Sequence, residues 1–240
     1  MHVDVAPTAE AVCPAGLAER AVLIVDVLRA STTIVTALAS GCLGVVPVCD
    51  AEEARRRLAV EPGALVAGER RGEPLAGFDL GNSPLEFTPA RVGGRTVIFT
   101  TSNGTRALLA ARAAAAVAVA ALVNLTAAAS WARGQQRDVT VACAGERGAR
   151  SLEDWVCAGL LVERLTAASG VVASGAAREA AAAAREYADD VSRLGVDSGW
   201  ARHLRASGRG DDVTACLVVD SSALVPVYRA DVDKIVRGCG

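Results

Sequence analysis

A chain of 240 residues that is 52% hydrophobic and 22% charged has the composition of a globular protein, which excludes disordered and collagen-like classes. At this length it buries most of the surface its unfolded chain exposes, so no disulfide or metal staple is needed for stability. The formal net charge of −2 argues against binding nucleic acid or a membrane surface through bulk charge, and with 3% aromatics the core must be built from Ala, Val and Leu.

Counts of single residue types exclude more. Lys234 is the only lysine among 25 basic residues, so there is no Gly-Lys-Ser/Thr triplet to cradle a nucleotide. Two histidines, His2 and His203, are too few for a His-rich metal site or for a phosphatase built on paired histidines. The seven cysteines (13, 42, 49, 143, 157, 216 and 239) form no Cys-x-x-Cys pair and read as buried thiols of a reducing compartment. The start Met1-His2-Val3-Asp4 lacks a signal-peptide pattern, and the eleven-residue apolar run 113–123 is too short to span a bilayer. The expected location is cytoplasmic.

Strand and helix patterns alternate along the chain. Ala21–Val25 is continuously apolar, as a strand buried on both faces requires. It ends at Asp26, and Ile34-Val35-x-x-Leu38 follows at helical spacing, stopped by Gly41. Gly44–Val48 reads as a strand, 51–58 as a helix, and Ala64–Ala67 as a strand running into Gly68-Glu69-Arg70. Residues 71–94, rich in Gly, Pro, Asp and Asn, form a long connection, which inside a compact domain is often functional. A strand at 95–100, a turn at 102–105, a helix at 106–114, a strand at 117–123, a helix at 126–133 and a strand at 139–144 come next. Ser151 with Asp154 three residues on matches a capping pattern for the helix to about 168. Residues 173–194 and 199–206 read as mostly helical, and 212–219 fits helix or strand. Val225-Pro226-Val227-Tyr228 reads as a closing edge strand, because Pro226 cannot donate to a ladder. The expected fold is α/β, layered α/β/α, with a mainly parallel or mixed sheet, read as one domain over 1–240. A weak echo between 25–33 and 99–105 would imply two similar α/β halves, with a sub-domain boundary within 71–94.

In open α/β sheets ligands gather beyond the carboxyl ends of strands, and four such ends carry polar groups. Asp26 there can bind a hard cation, attack phosphorus, or simply pair with Arg29 or the helix start. Glu69-Arg70 is a second strand end with a carboxylate, or a solvated turn. Thr101-Ser102-Asn103-Gly104-Thr105 can cradle phosphate on backbone N–H groups, or serve as an ordinary N-cap. Glu146, Arg147 and Arg150 lie in a Gly-rich loop after the 139–144 strand, ahead of Asp154; the arginines can clamp an oxyanion or merely decorate a surface loop. Known phosphatase patterns are missing: Arg150 is one residue too far from Cys143, and Leu28 stands where a second Asp would be needed after Asp26.

The ordered blocks 25–33, Gly68-Glu69-Arg70, Gly81-Asn82-Ser83-Pro84-Leu85-Glu86, 100–107, Cys143-Ala144-Gly145, Ser151-Leu152-Glu153-Asp154, Cys157-Ala158-Gly159 and Val225-Pro226-Val227 resemble the 2-phosphosulfolactate phosphatase family. Asp211-Asp212 and Asp220 look like its acidic positions near the end, whereas 196–210 matches it loosely. The resemblance implies a Mg²⁺-dependent phosphomonoesterase that converts 2-phosphosulfolactate to sulfolactate, a step in coenzyme M synthesis. On this reading Asp26, Arg29, Glu69 and Asp154 are catalytic, and Asp26, Glu69, Glu146 and Asp154 hold Mg²⁺. Ser31, Arg70, Asn82, Ser83, Thr101, Ser102, Asn103, Gly104, Thr105, Arg106 and Arg147 bind a small phosphorylated sulfonate or carboxylate. Another phospho-2-hydroxy acid as substrate, or a non-catalytic anion-binding relative, are the alternatives. Nucleic acid and membrane are excluded as partners, and a homo-oligomer is compatible with the sequence.

Overall fold

The structure, a computed structural model, is described for residues 1–238; Cys239 lies outside them. Eleven strands form one sheet in the spatial order β5-β4-β6-β3-β11-β10-β7-β2-β8-β1-β9. They are β1 (His2–Ala6), β2 (Ala21–Val25), β3 (Gly44–Pro47), β4 (Leu65–Arg70), β5 (Glu73–Pro74), β6 (Thr96–Thr100), β7 (Ala116–Ala120), β8 (Val139–Cys143), β9 (Val172–Ala173), β10 (Pro226–Arg229) and β11 (Lys234–Arg237). The helices are α1 (Ala30–Ala39), α2 (Ala51–Val60), α3 (Pro89–Val92), α4 (Gly104–Ala111), α5 (Leu125–Gly134), α6 (Leu152–Thr166), α7 (Gly175–Arg185), α8 (Leu194–Asp197), α9 (Gly199–Ala206) and α10 (Gly210–Cys216). The expected α/β architecture is therefore present, with helices on both faces of a mixed sheet.

Alternation along β2 explains the layering. Leu23 and Val25 belong to one core cluster with residues of α5, α6 and α7, while Val22 and Ile24 belong to another with residues of α1 and α4. Every residue of β2 is buried, as its unbroken apolar run requires.

Two parallel sets, β1/β8/β2/β7 and β3/β6/β4, flank the β10–β11 hairpin. The hairpin is antiparallel to β7 on one side and to β3 on the other. The two parallel sets consequently run in opposite directions. In a flat sheet their carboxyl ends would lie at opposite edges. Neighbouring strands twist by about 20–25°, and five steps separate β2 from β6, so a large rotation accumulates and works against that reversal.

Two expectations need correction. The 225–228 segment is not an edge strand: β10 lies between β11 and β7. Pro226 is tolerated because it is the first strand residue, where no ladder bond is lost. Strands from either side of 71–94 interleave in one sheet, since β6 pairs with β3 and β4 while β7 and β8 flank β2. Lastly, Cys42, Cys143, Cys157 and Cys216 are buried, but Cys13 and Cys49 are exposed. Residues 212–219 resolve as helix up to Cys216. No helix among the described residues is long and apolar enough to cross a membrane.

Candidate active site

Asp26 follows β2 directly and is 9% exposed. The turn that carries it is tied to the start of α1. Ser31 N–H donates to the Asp26 carbonyl at 2.8 Å, and Asp26 N–H donates to Ser31 Oγ at 2.9 Å. Asp26 Oδ1 accepts from Ala30 N–H at 3.2 Å, which leaves Oδ2 without that commitment. Burial raises the Asp26 carboxyl from 3.8 to about 7, with the charges of Glu69 and Glu153 adding and Ala30 N–H and Arg29 opposing. Ser31 is wholly buried and spends its hydroxyl on Ile24 O and Asp26 N. It shapes the turn and does not border the cavity.

Glu69 reaches the same region from β4. Its Oε2 accepts from Gly72 N–H at 2.6 Å and its Oε1 from Ser102 N–H at 2.7 Å. Gly68, at φ +153°, makes this possible, because a Cβ there would collide with the Thr100 carbonyl. Asp154, in the first turn of α6, accepts from Val27 N–H at 2.8 Å and Gly145 N–H at 3.1 Å. The expected Ser151–Asp154 capping box is therefore not formed. Ser151 does precede α6, but its side chain makes no capping bond, because Asp154 is drawn across to the β2 and β8 loops. Burial raises Asp154 well above 3.8, with Asp26 and Glu153 adding.

Asp26, Arg29, Glu69, Asn82, Ser102, Asn103, Glu146 and Arg147 line one cavity of about 70 Å³, together with Arg71 and Trp200. A recess of about 20 Å³ lies beside it, bordered by Asp26, Glu146, Glu153 and Asp154. Most of the expected carboxylates thus converge. Glu153, which sequence reasoning assigned only to the block around Ser151, joins them. It is buried, and its Oε2 has no hydrogen-bond partner among the described residues, as is true of Asn82 Oδ1. Burial also raises the Glu153 carboxyl. Trp200 was missed because its segment matched loosely. Its Nε1–H donates to Leu28 O at 2.9 Å, and both residues line the cavity.

The 101–105 turn does less than expected as an N–H cradle. Thr101 N–H and Thr105 N–H donate to each other's hydroxyls, and Ser102 N–H goes to Glu69. Asn103 and Gly104 are the turn residues whose N–H groups find no partner among the described residues. Thr101 instead helps line a broad adjoining cleft of about 840 Å³, where Arg70, Arg71, Arg106 and Arg147 gather. Arg70 is braced there by Thr100 Oγ1 at 2.9 Å, and Arg106 pairs with Glu10 at 3.1 Å. Ser83 faces away from the cavity and donates to Asp212. Asp220 holds Thr126 N–H at the start of α5, away from the site.

The donor chemistry suits a hard cation: oxygen ligands, mutually repelling carboxylates, and an unpaired buried oxygen on Glu153. Among the described residues, however, no three His, Cys, Asp or Glu side chains converge at metal-holding geometry. Such a preformed cage is not required for Mg²⁺, which keeps several waters and is commonly held by one or two carboxylates plus substrate phosphate.

Comparison with known proteins agrees with this architecture. A family profile described as 2-phosphosulpholactate phosphatase matches residues 8–231. A protein of Gloeobacter violaceus named probable 2-phosphosulfolactate phosphatase is 41% identical, covering 94% of each chain. Proteins with the same name from Symbiobacterium thermophilum, 38% identical over 88% of this chain and 92% of its own length, and from Caldanaerobacter subterraneus subsp. tengcongensis, 35% identical over 88% of both, are also similar. The chain belongs to the 2-phosphosulpholactate phosphatase family.

Proposed function

We propose that this protein hydrolyses 2-phosphosulfolactate to sulfolactate and inorganic phosphate, with Mg²⁺ as cofactor. The observation that carries this reading is the junction of two sites: a buried carboxylate cavity around Asp26 opens beside a cleft lined by four arginines, with Arg71, Ser102 and Arg147 common to both. A phosphomonoester with a carboxylate and a sulfonate carries several negative charges, and planar guanidinium groups suit such oxyanions. Arg70, Arg71, Arg106 and Arg147 would bind and orient the distal anions. Arg29 would meet the phosphoryl group in the cavity beside Asp26.

In the reaction, water adds to phosphorus and the bond between phosphorus and the ester oxygen breaks. That oxygen leaves as a hydroxyl, with the proton the water gave up. Asp26 Oδ2, free of the Ala30 bond that holds Oδ1, would be the atom available to the reacting centre. Asp26 and Glu146, which border both the cavity and the recess, are the residues that would hold Mg²⁺. Glu69 and Asp154 already accept two backbone N–H groups each and chiefly shape the loops. When bound, the ion would neutralise phosphoryl charge and polarise the phosphorus centre.

The test is a panel of phosphorylated 2-hydroxy acids, including 2-phosphosulfolactate, assayed for phosphate release with and without Mg²⁺. Turnover highest with 2-phosphosulfolactate supports the reading. A clear preference for another member of the panel would reassign the substrate, and no turnover of any member would overturn the activity.

A further inference from the structure

Arg29 and Asp212 lie 183 positions apart in sequence and form a buried pair, with side chains 3% and 6% exposed and Arg29 Nη1 at 2.6 Å from Asp212 Oδ2. Arg29 Nη2 donates to Gly72 O at 3.0 Å. The other Asp212 oxygen accepts from Ser83 Oγ. Both carboxylate oxygens and both terminal nitrogens of the guanidinium are therefore engaged, and three segments meet there: the turn after β2, the 71–94 connection, and the first turn of α10.

Arg29 also borders the cavity that Asp26 and Glu69 line, and a surface cleft containing Ser83 and Asp212 lies on its other side. The guanidinium thus stands between carboxylates on two sides. Its ion pair is with Asp212, and among the described residues none joins it to Asp26 or Glu69. A buried guanidinium without that partner would be drawn to the nearest remaining carboxylate. In this site that would place it on Asp26 or Glu69 and block the group meant to receive substrate.

We infer that Asp212 is a positioning residue: it keeps Arg29 from pairing with Asp26 or Glu69, so that the remaining guanidinium N–H groups stay available to the phosphoryl oxygens. Ser83 fixes the Asp212 carboxylate in turn. The inference rests on the proposed phosphatase reading.

The experiment is a double-mutant cycle on the full chain with Asp212→Asn, Arg29→Met and the double variant. It records kcat and KM for 2-phosphosulfolactate, calorimetric binding of inorganic phosphate, and melting curves. Asp212→Asn should lower kcat/KM about 100-fold and weaken phosphate binding about tenfold, in the range expected for loss of charge-assisted bonds. Adding Asp212→Asn to Arg29→Met should cost nothing further, because Asp212 acts only through Arg29. Asp212→Glu should recover part of the loss. Additive losses, or a folded Asp212→Asn protein with unchanged kcat/KM and phosphate binding, would overturn the inference. If Asp212→Asn does not fold, Ser83→Ala, which removes only the hydroxyl anchoring Asp212, should still lower kcat/KM several-fold; no change there counts against the inference. A wild-type protein that turns over no phosphomonoester would defeat the phosphatase reading alone, and the phosphate-binding cycle would still decide the role of Asp212.

Discussion

Gly104 and Asp26 approach so closely that no side chain fits between them: a Cβ at position 104 would stand 2.6 Å from Asp26 Oδ2 and 2.8 Å from Ala30 Cβ. The first residue of α4 is thus glycine for clearance, without any left-handed backbone requirement. Gly104→Ala should push the Asp26 carboxylate out of place. We expect kcat to fall at least tenfold, with a stability loss of about 1–3 kcal/mol from overpacking. Wild-type kcat in a folded Gly104→Ala protein would show that the approach has no bearing on turnover.

Cys143 ends β8 under the site, yet nothing makes it a nucleophile. It is fully buried, and burial with the Asp154 charge raises its thiol well above 9. A thiol held protonated cannot attack phosphorus. Cys143→Ser should keep most of the turnover, measured as kcat on the purified variant; a trapped phosphocysteine would contradict this chemistry.

The strand ends were legible in the sequence because burial on both faces leaves an unbroken apolar run, as in Ala21–Val25, and a polar residue at its end stands out. The convergence of Asp26, Glu69, Glu146 and Asp154 followed from those ends. What could not be read was pairing between distant segments. Nothing local marks Asp212 as the partner of Arg29, or Trp200 as the donor to Leu28 O, since each contact spans more than 170 residues. Pro226 misled for a related reason: the same residue type opens an interior strand or sits at an edge, and only the neighbours decide. Glu153 was hidden by its neighbour, because the Ser151–Asp154 spacing suggested a cap when Asp154 is instead used across the loops.

Removal of divalent cations should abolish turnover. EDTA followed by desalting is expected to leave less than a hundredth of the phosphate release, and added Mg²⁺ should restore it. Full activity in a preparation shown to be metal-free by elemental analysis would remove the cation from the account.

The raised Asp26 carboxyl has a signed consequence for stability. With a value of about 7 in the folded protein against 3.8 ordinarily, the folded state binds more protons than the unfolded state between about pH 4 and pH 7. Stability is therefore greatest below that window and falls as pH rises through it, by on the order of 4 kcal/mol for a three-unit shift. Glu153 and Asp154 shift in the same direction. Asp50, Asp138 and Asp231 are held below 3.8, so they act outside the window. Urea melts of metal-free protein should give a higher midpoint at pH 5 than at pH 8, and Asp26→Asn should flatten the difference. A higher midpoint at pH 8 would mean the cluster is not repulsive.

The most direct test of the site is Asp26→Asn itself, with kcat and a melting curve measured on the same preparation at pH 8. The substitution keeps the shape and removes a charge that burial and neighbouring carboxylates oppose. The account predicts that kcat falls by several orders of magnitude while the metal-free melting temperature stays level or rises. A stable Asp26→Asn protein with wild-type kcat would contradict the assignment of this cavity as the active site.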